Sequence, residues 1–219
     1  MRVISSLLVT HLSNQFPLSS WDSVYQEELA NFEEIGDEGE IWYVISKLYL
    51  PLNPIILSIR TCFFTRFGAE TVEKMVEWSL ENIPPASNPS VLEIGSGNGT
   101  LLFGLLDAGY DPTRLAGIDY SPGAVALSTQ IAQTRGGSLI NFSECDFLKD
   151  DPSIPPKLQL SSRIDVWDLI LDKGTYDAIA LGQKDDQGRS PSINYPGRAT
   201  RLLKPGGYFL ITCKSFPSE

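Results

Sequence analysis

Nine residues, Val91-Leu92-Glu93-Ile94-Gly95-Ser96-Gly97-Asn98-Gly99, constrain the fold of this chain more than any other stretch. A short, strand-like run leads straight into glycines at alternate positions, and Thr100 to Ala108 then takes up helical periodicity. Residues without a Cβ let the backbone turn sharply between strand and helix and let a ligand approach the main chain. The run therefore predicts the opening of a βα unit with a ligand-binding turn.

The remaining pattern repeats that unit. Leu115–Ile118, Leu139–Ser143, Val166–Leu171 and Tyr208–Thr212 read as further strands. Ser121 followed by Pro122 is a helix start, a helix is expected over much of Ala199–Leu203, and Lys204-Pro205-Gly206-Gly207 reads as a turn. Alternation of this kind predicts an α/β, Rossmann-like fold, a mainly parallel sheet with helices on both faces. Upstream, Trp21–Phe32 and Glu70–Leu80 carry apolar residues at helical spacing, and Pro84, Pro85 and Pro89 form a stiff linker. The expected organisation is a helical extension over residues 1–89 and a ligand-binding domain over residues 90–219. Tyr43 to Arg66 stands apart, being apolar, free of acidic residues and without a clean period.

Composition narrows the functional classes. The chain has 219 residues, enough for one α/β domain and a small extension. Its formal net charge of -10 opposes contact with phosphate backbones, so a nucleic-acid partner is not expected. The single histidine, His11, argues against a histidine-dependent triad. Cys62, Cys145 and Cys213 follow no metal-ligand spacing, so no metal site is expected, and a reducing, cytoplasmic setting suits them. Met1–Thr10 has a short apolar stretch but no convincing cleavage site. Leu48–Ile59 is interrupted by Pro51, Asn53 and Pro54 and falls short of the ~20 residues of a membrane-spanning helix, so no membrane role is expected.

The glycine spacing bears on the ligand. The third glycine comes one position earlier than in the dinucleotide pattern G-x-G-x-x-G, and Glu93 stands two residues before the first. A carboxylate there opposes a pyrophosphate but favours a ligand carrying an ammonium and a sulfonium, which points to S-adenosylmethionine and away from a nicotinamide oxidoreductase. Glu93, Gly95, Gly97 and Gly99 are the first candidates for that cofactor. Asp119 ends the second strand, at the sheet edge where ligands of open α/β folds bind, and can accept both ribose hydroxyls or cap the next helix. Asp146, after the third strand, can accept from the adenine amino group with Phe147 bordering the ring, or be an ordinary loop aspartate. Asp172, after the fourth strand, can hold an incoming amine and help it shed its proton, or cap the strand end; Tyr176 can line the channel. Methyl transfer from a sulfonium needs alignment and exclusion of water more than a protein nucleophile.

Taken together, these stretches resemble the eukaryotic lysine methyltransferases that modify translation elongation factor 1 alpha, the elongation factor 1 alpha lysine methyltransferase 2 group of class I methyltransferases. The similarity runs through Trp21-Asp22-Ser23-Val24-Tyr25, Gly36-Asp37-Glu38-Gly39-Glu40-Ile41-Trp42, the glycine run, Gly117-Ile118-Asp119-Tyr120-Ser121-Pro122, Asp146-Phe147-Leu148 and Asp172-Lys173-Gly174-Thr175-Tyr176-Asp177-Ala178-Ile179. The resemblance implies a class I fold, S-adenosylmethionine as donor, a lysine of elongation factor 1 alpha as acceptor, and Trp42 beside the cofactor; Tyr120 is a further cofactor candidate, and a monomer is expected. Three features depart from the group. Residues 43–66 separate Trp42 from Phe67-Gly68, as an insertion of translated intron would, Met1 to Leu18 are irregular in a similar way, and the chain stops after the fifth strand, so a fold lacking the last two strands is expected. A small-molecule methyltransferase, or a non-catalytic truncated methyltransferase-like protein, would share the cofactor residues.

Overall fold

The computed structural model describes residues 19–39, 68–159 and 164–212. The 43–66 segment and Trp42 lie outside the described residues.

Two helices come first, α1 (Ser19–Ile35) and α2 (Gly68–Asn82). The sheet domain then alternates β1 (Val91–Ile94), α3 (Thr100–Asp107), β2 (Leu115–Asp119), α4 (Pro122–Thr134), β3 (Asn141–Glu144), β4 (Trp167–Lys173), α5 (Thr175–Ala180), α6 (Tyr195–Thr200) and β5 (Leu203–Thr212). The strands lie in the order β3-β2-β1-β4-β5, and every pair is parallel. The order reverses between β1 and β4, the kind of switch point at which open α/β sheets bind ligands.

Strand periodicity divides the core into two layers. Val91, Leu115, Leu169, Leu171 and Leu210 face α1 to α4, where they pack on Tyr25, Met75, Trp78, Leu101 and Leu127. Leu92, Ile94, Ile118, Ile170 and Phe209 face the opposite layer with Ile179, Tyr195 and Ala199. Helices thus cover both faces, and the helices of the N-terminal region share the core of the sheet domain. The Ser121 hydroxyl accepts from the Ala124 amide at the start of α4, as the Ser-Pro pair predicts.

Three boundaries differ from the sequence reading. The last helix runs over Tyr195–Thr200 rather than Ala199–Leu203, because Leu203 pairs with Trp167 in the sheet and the Leu202 carbonyl already accepts from the Trp167 amide. The Lys204–Gly207 turn is a bulge within β5: pairing passes from Leu203 to Tyr208 across a register shift, with Gly206 at φ +87°. The third strand starts at Asn141, leaving Leu139 exposed in the preceding turn.

Candidate active site

β1 ends at Ile94, and the chain enters left-handed backbone at Gly95, Gly97 and Gly99, with φ of +69°, +53° and +82°. The Gly95 and Ser96 amides both donate to the Ile118 carbonyl, at 2.8 and 2.9 Å, which straps the loop to β2. Space demands glycine as well as the dihedral does. A Cβ on Gly95 would overlap the Thr175 hydroxyl of α5, and one on Gly97 would stand 2.5 Å from the Tyr25 hydroxyl of α1.

Strand register gathers the acidic candidates at one edge. Glu93 pairs with Gly117 on one side and Leu171 on the other, so Asp119 and Asp172 flank the glycine loop on the neighbouring strands. Asp119 is buried, and its carboxylate accepts from the Gly97 and Ser121 amides, each at 3.0 Å. It therefore holds both the glycine loop and the approach to α4, and a carboxylate has lone pairs left for ribose hydroxyls. Burial raises its pKa despite those amides.

Glu93 is wholly buried, and neither carboxylate oxygen meets a well-formed hydrogen-bond partner among the described residues. Burial pushes its pKa up to about 8; Lys173, on the same side of the sheet, and a long contact with the Leu102 backbone oppose the shift, and Asp172 and Asp119 reinforce it. A buried carboxylate short of hydrogen bonds is costly, and the donor's ammonium would relieve it. Asp22 Oδ1 is also buried without a hydrogen-bond partner among the described residues, and the Tyr120 hydroxyl meets the Trp21 backbone. This acceptor-rich cradle fits a cationic ligand.

Asp172 is also wholly buried, on the opposite side of the sheet from Glu93. Oδ1 accepts from the Thr175 amide at 2.7 Å, and Oδ2 accepts from the Tyr176 amide at 3.0 Å and from the Tyr195 hydroxyl. It is the anchor of the first turn of α5, which carries Tyr176. Burial raises its pKa to about 7, against the lowering effect of the Tyr195, Thr175 and Tyr176 hydrogen bonds, while Asp177 adds to the rise. Asp146 lies further along the edge, where Oδ1 accepts from the Leu148 amide and Oδ2 pairs with Lys149 at 2.6 Å. Phe147 is buried against Tyr195 rather than standing open.

Three residues of this site escaped the sequence reading. Tyr25 was legible as an apolar position of an amphipathic helix and as the end of the Trp21–Tyr25 run, with no role in the site attached, yet it covers the glycine loop. Tyr195 and Arg198 lie in a helix whose short Tyr-Pro-Gly start gives no periodic signal.

A glycine loop and acidic strand ends at the switch point of a parallel sheet define a Rossmann-like methyltransferase, and the family model described as "Methyltransferase domain" matches residues 85–217. The relatives are more particular. The chain is 35% identical to the protein-lysine N-methyltransferase efm4 of Schizosaccharomyces pombe, over 88% of this chain and 72% of that protein. It is 34% identical to the human EEF1A lysine methyltransferase 2, over 91% and 68% of the two chains, and 31% identical to EFM4 of Saccharomyces cerevisiae, over 91% and 75%. The chain belongs to this efm4 and EEF1A lysine methyltransferase 2 family of protein-lysine N-methyltransferases. Its cofactor is S-adenosylmethionine, which the buried Glu93 carboxylate and the Asp119 strand end fit in charge and placement. Among the described residues no helix is long and apolar enough to cross a membrane.

Proposed function

We propose that this chain transfers a methyl group from S-adenosylmethionine to the side-chain amine of a lysine in translation elongation factor 1 alpha. The observation that carries the reading is the wholly buried Glu93 carboxylate under the glycine loop, short of well-formed hydrogen bonds, together with the kinship to efm4 and EEF1A lysine methyltransferase 2. When bound, the donor supplies an electrophilic methyl on a sulfonium. Glu93 receives its ammonium, Gly95, Gly97 and Gly99 let it approach the backbone, Asp119 with Tyr120 takes the ribose side, and Asp146 and Phe147 border the adenine. Trp42 completes this set by resemblance. Asp172 and Tyr176 form the acceptor side: the carboxylate at the end of β4 holds the incoming amine and helps it shed its proton, so that a neutral nitrogen with a free lone pair meets the methyl, and Tyr176 lines its path. The fold supplies alignment and a dry, polar setting, the main needs of methyl transfer.

The family match beginning at residue 85 supports a catalytic domain over 90–219 preceded by an extension over 1–89. Incubation with methyl-labelled donor and purified elongation factor 1 alpha tests the reading. Label on the factor, lost in D119A, is the expected result. Label on a metabolite alone would replace it with a small-molecule methyltransferase, and donor binding with no transfer to any acceptor would replace it with a non-catalytic protein.

A further inference from the structure

The helix α6 touches both halves of the site. Tyr195, wholly buried in its first turn, donates its hydroxyl to Asp172 Oδ2 on the acceptor side. Its ring meets Tyr176 edge-on at 5.6 Å and Phe147 edge-on at 5.1 Å. One turn later, the Arg198 Nε donates to the Phe147 carbonyl at 2.6 Å, and its guanidinium lies 5.4 Å from the centre of the Phe147 ring. A second Arg198 nitrogen donates to the Asp150 carbonyl at 2.6 Å. Residues three apart on a helix share a face, so one short face grips the strand end of β4 and the loop after β3.

We propose that α6 is the tie between donor and acceptor sides, with Tyr195 a positioning residue for Asp172 and Tyr176, and Arg198 a positioning residue for the Asp146-Phe147 turn. The proposal rests on the donor and acceptor assignment made above. Tyr195 acts through the Asp172 carboxylate: a hydroxyl donated to a buried carboxylate favours its charged form and fixes the direction of its second oxygen. The groups facing Asp172 are Tyr195 from α6 and Asp177 with the Thr175 and Tyr176 amides from α5, while the charges of Lys173 on β4 and Glu93 on β1 couple to it from the other side of the sheet. Among them Tyr195 is the neutral side chain whose hydrogen bond holds the carboxylate charged. Arg198 acts through the Phe147 and Asp150 carbonyls, the Phe147 ring face and a 3.4 Å ion pair with Asp151, and so sets where the turn after β3 lies.

The two substitutions separate these roles. Y195F keeps the ring and removes only the hydroxyl. The expected result is a kcat lowered about tenfold, an acid limb of the kcat–pH profile moved to higher pH, and donor affinity close to that of the unsubstituted protein. R198M keeps an apolar stem over Phe147 and removes the donors. The larger effect then falls on the donor KM, raised about tenfold, with the acid limb in place. Melting midpoints accompany both variants, and Y195F is checked beside D172N, which abolishes the acid limb if that limb belongs to Asp172. A Y195F profile that superimposes on the original overturns the proposal, as does a parallel loss of donor affinity and kcat in both variants that follows their melting midpoints. Failure of the unsubstituted protein to bind donor overturns the cofactor reading and this proposal together. Donor binding with an unmoved profile overturns this proposal alone.

Discussion

The Thr175 hydroxyl donates to the Ile94 carbonyl at 3.0 Å, so the first turn of α5 is fastened to the last residue of β1 before the glycine loop. The Asp172-Lys173-Gly174-Thr175 run and the glycine run are thus two sides of one joint, and Gly95 is glycine because the Thr175 side chain occupies the space a Cβ would take. Gly95→Ala adds that overlap to a left-handed φ, which by itself costs about 1 kcal/mol or more outside glycine. The variant is expected to melt at a lower temperature and to bind donor more weakly. Adding Thr175→Ala removes the nearest overlapping atom, so the double variant should recover part of the melting temperature. Strict additivity of the two losses would show that the joint is not the cause.

Glu93 gives the site a pH signature. Its folded pKa of about 8 lies above the ordinary carboxylate value of 4.5. Between those values the native protein holds a proton that the unfolded chain has released. Linkage therefore makes this group's contribution to stability fall as pH rises from about 4.5 to about 8 and level off above. A bound cation favours the charged carboxylate, so donor binding near pH 7 should release protons. Calorimetric titration in two buffers of different ionisation enthalpy measures that release. Glu93→Gln should abolish it, make the donor-free protein less sensitive to rising pH, and weaken donor affinity about tenfold or more. A proton release unchanged in Glu93→Gln would assign it to another group.

The fold was legible where periodicity and turn chemistry agree. The β1 glycine loop, the Ser121-Pro122 start of α4 and the strand ending at Asp119 carry local signals that tertiary packing reinforces. The C-terminal half of the site was legible only in part. Asp172 is visible as an acid at a strand end, but nothing local says that a tyrosine over twenty positions later will donate to it. Tyr195 gains its role from the parallel pairing of β4 with β5, which brings α6 back over the sheet, and long-range pairing leaves no local pattern. The helix boundary after Asn194 was misread for a related reason: Leu202 and Leu203 have apolar helical spacing, yet the sheet recruits them. Asp146 shows the opposite case. Its sequence position marks a ligand-side loop, while its side chain is engaged by Lys149 and the Leu148 amide.

At the opposite end of the strands, Asp168 makes a pH prediction of contrary sign. Its Oδ2 accepts from the Ser90 amide at 2.8 Å, the Ser90 hydroxyl at 2.7 Å and the Lys204 ammonium at 2.7 Å. Burial alone would raise its pKa, but the Lys204 and Ser90 hydrogen bonds outweigh it and hold the carboxyl below the ordinary value of 3.8. The stabilisation is present above that value and is lost as pH falls through the folded pKa. Asp168→Asn should lower the melting midpoint at pH 7, and the difference from the unsubstituted protein should shrink below about pH 4. Because the network lies at the amino ends of β4 and β1, methyl transfer by the folded fraction should be retained. A loss of kcat without a loss of stability would contradict this assignment.

Tyr25 supplies the last prediction, and it concerns the roof of the glycine loop. α1 packs on α4 and the Tyr25 ring belongs to the main core, stacked at 6.1 Å on Trp21. Its hydroxyl lies beside Gly97, and burial with Asp119, Glu28 and Glu93 around it holds the phenol well above its ordinary pKa. It therefore stays protonated and able to donate across the working pH range. Tyr25→Phe keeps the ring in the core, so the melting midpoint should change little, whereas donor affinity should fall about tenfold if the hydroxyl donates to the ligand. Tyr25→Ala removes the ring as well and should cost about 3 kcal/mol or more of stability. Calorimetric titration with donor measures the affinity, and an unaltered affinity in Tyr25→Phe would confine Tyr25 to the core.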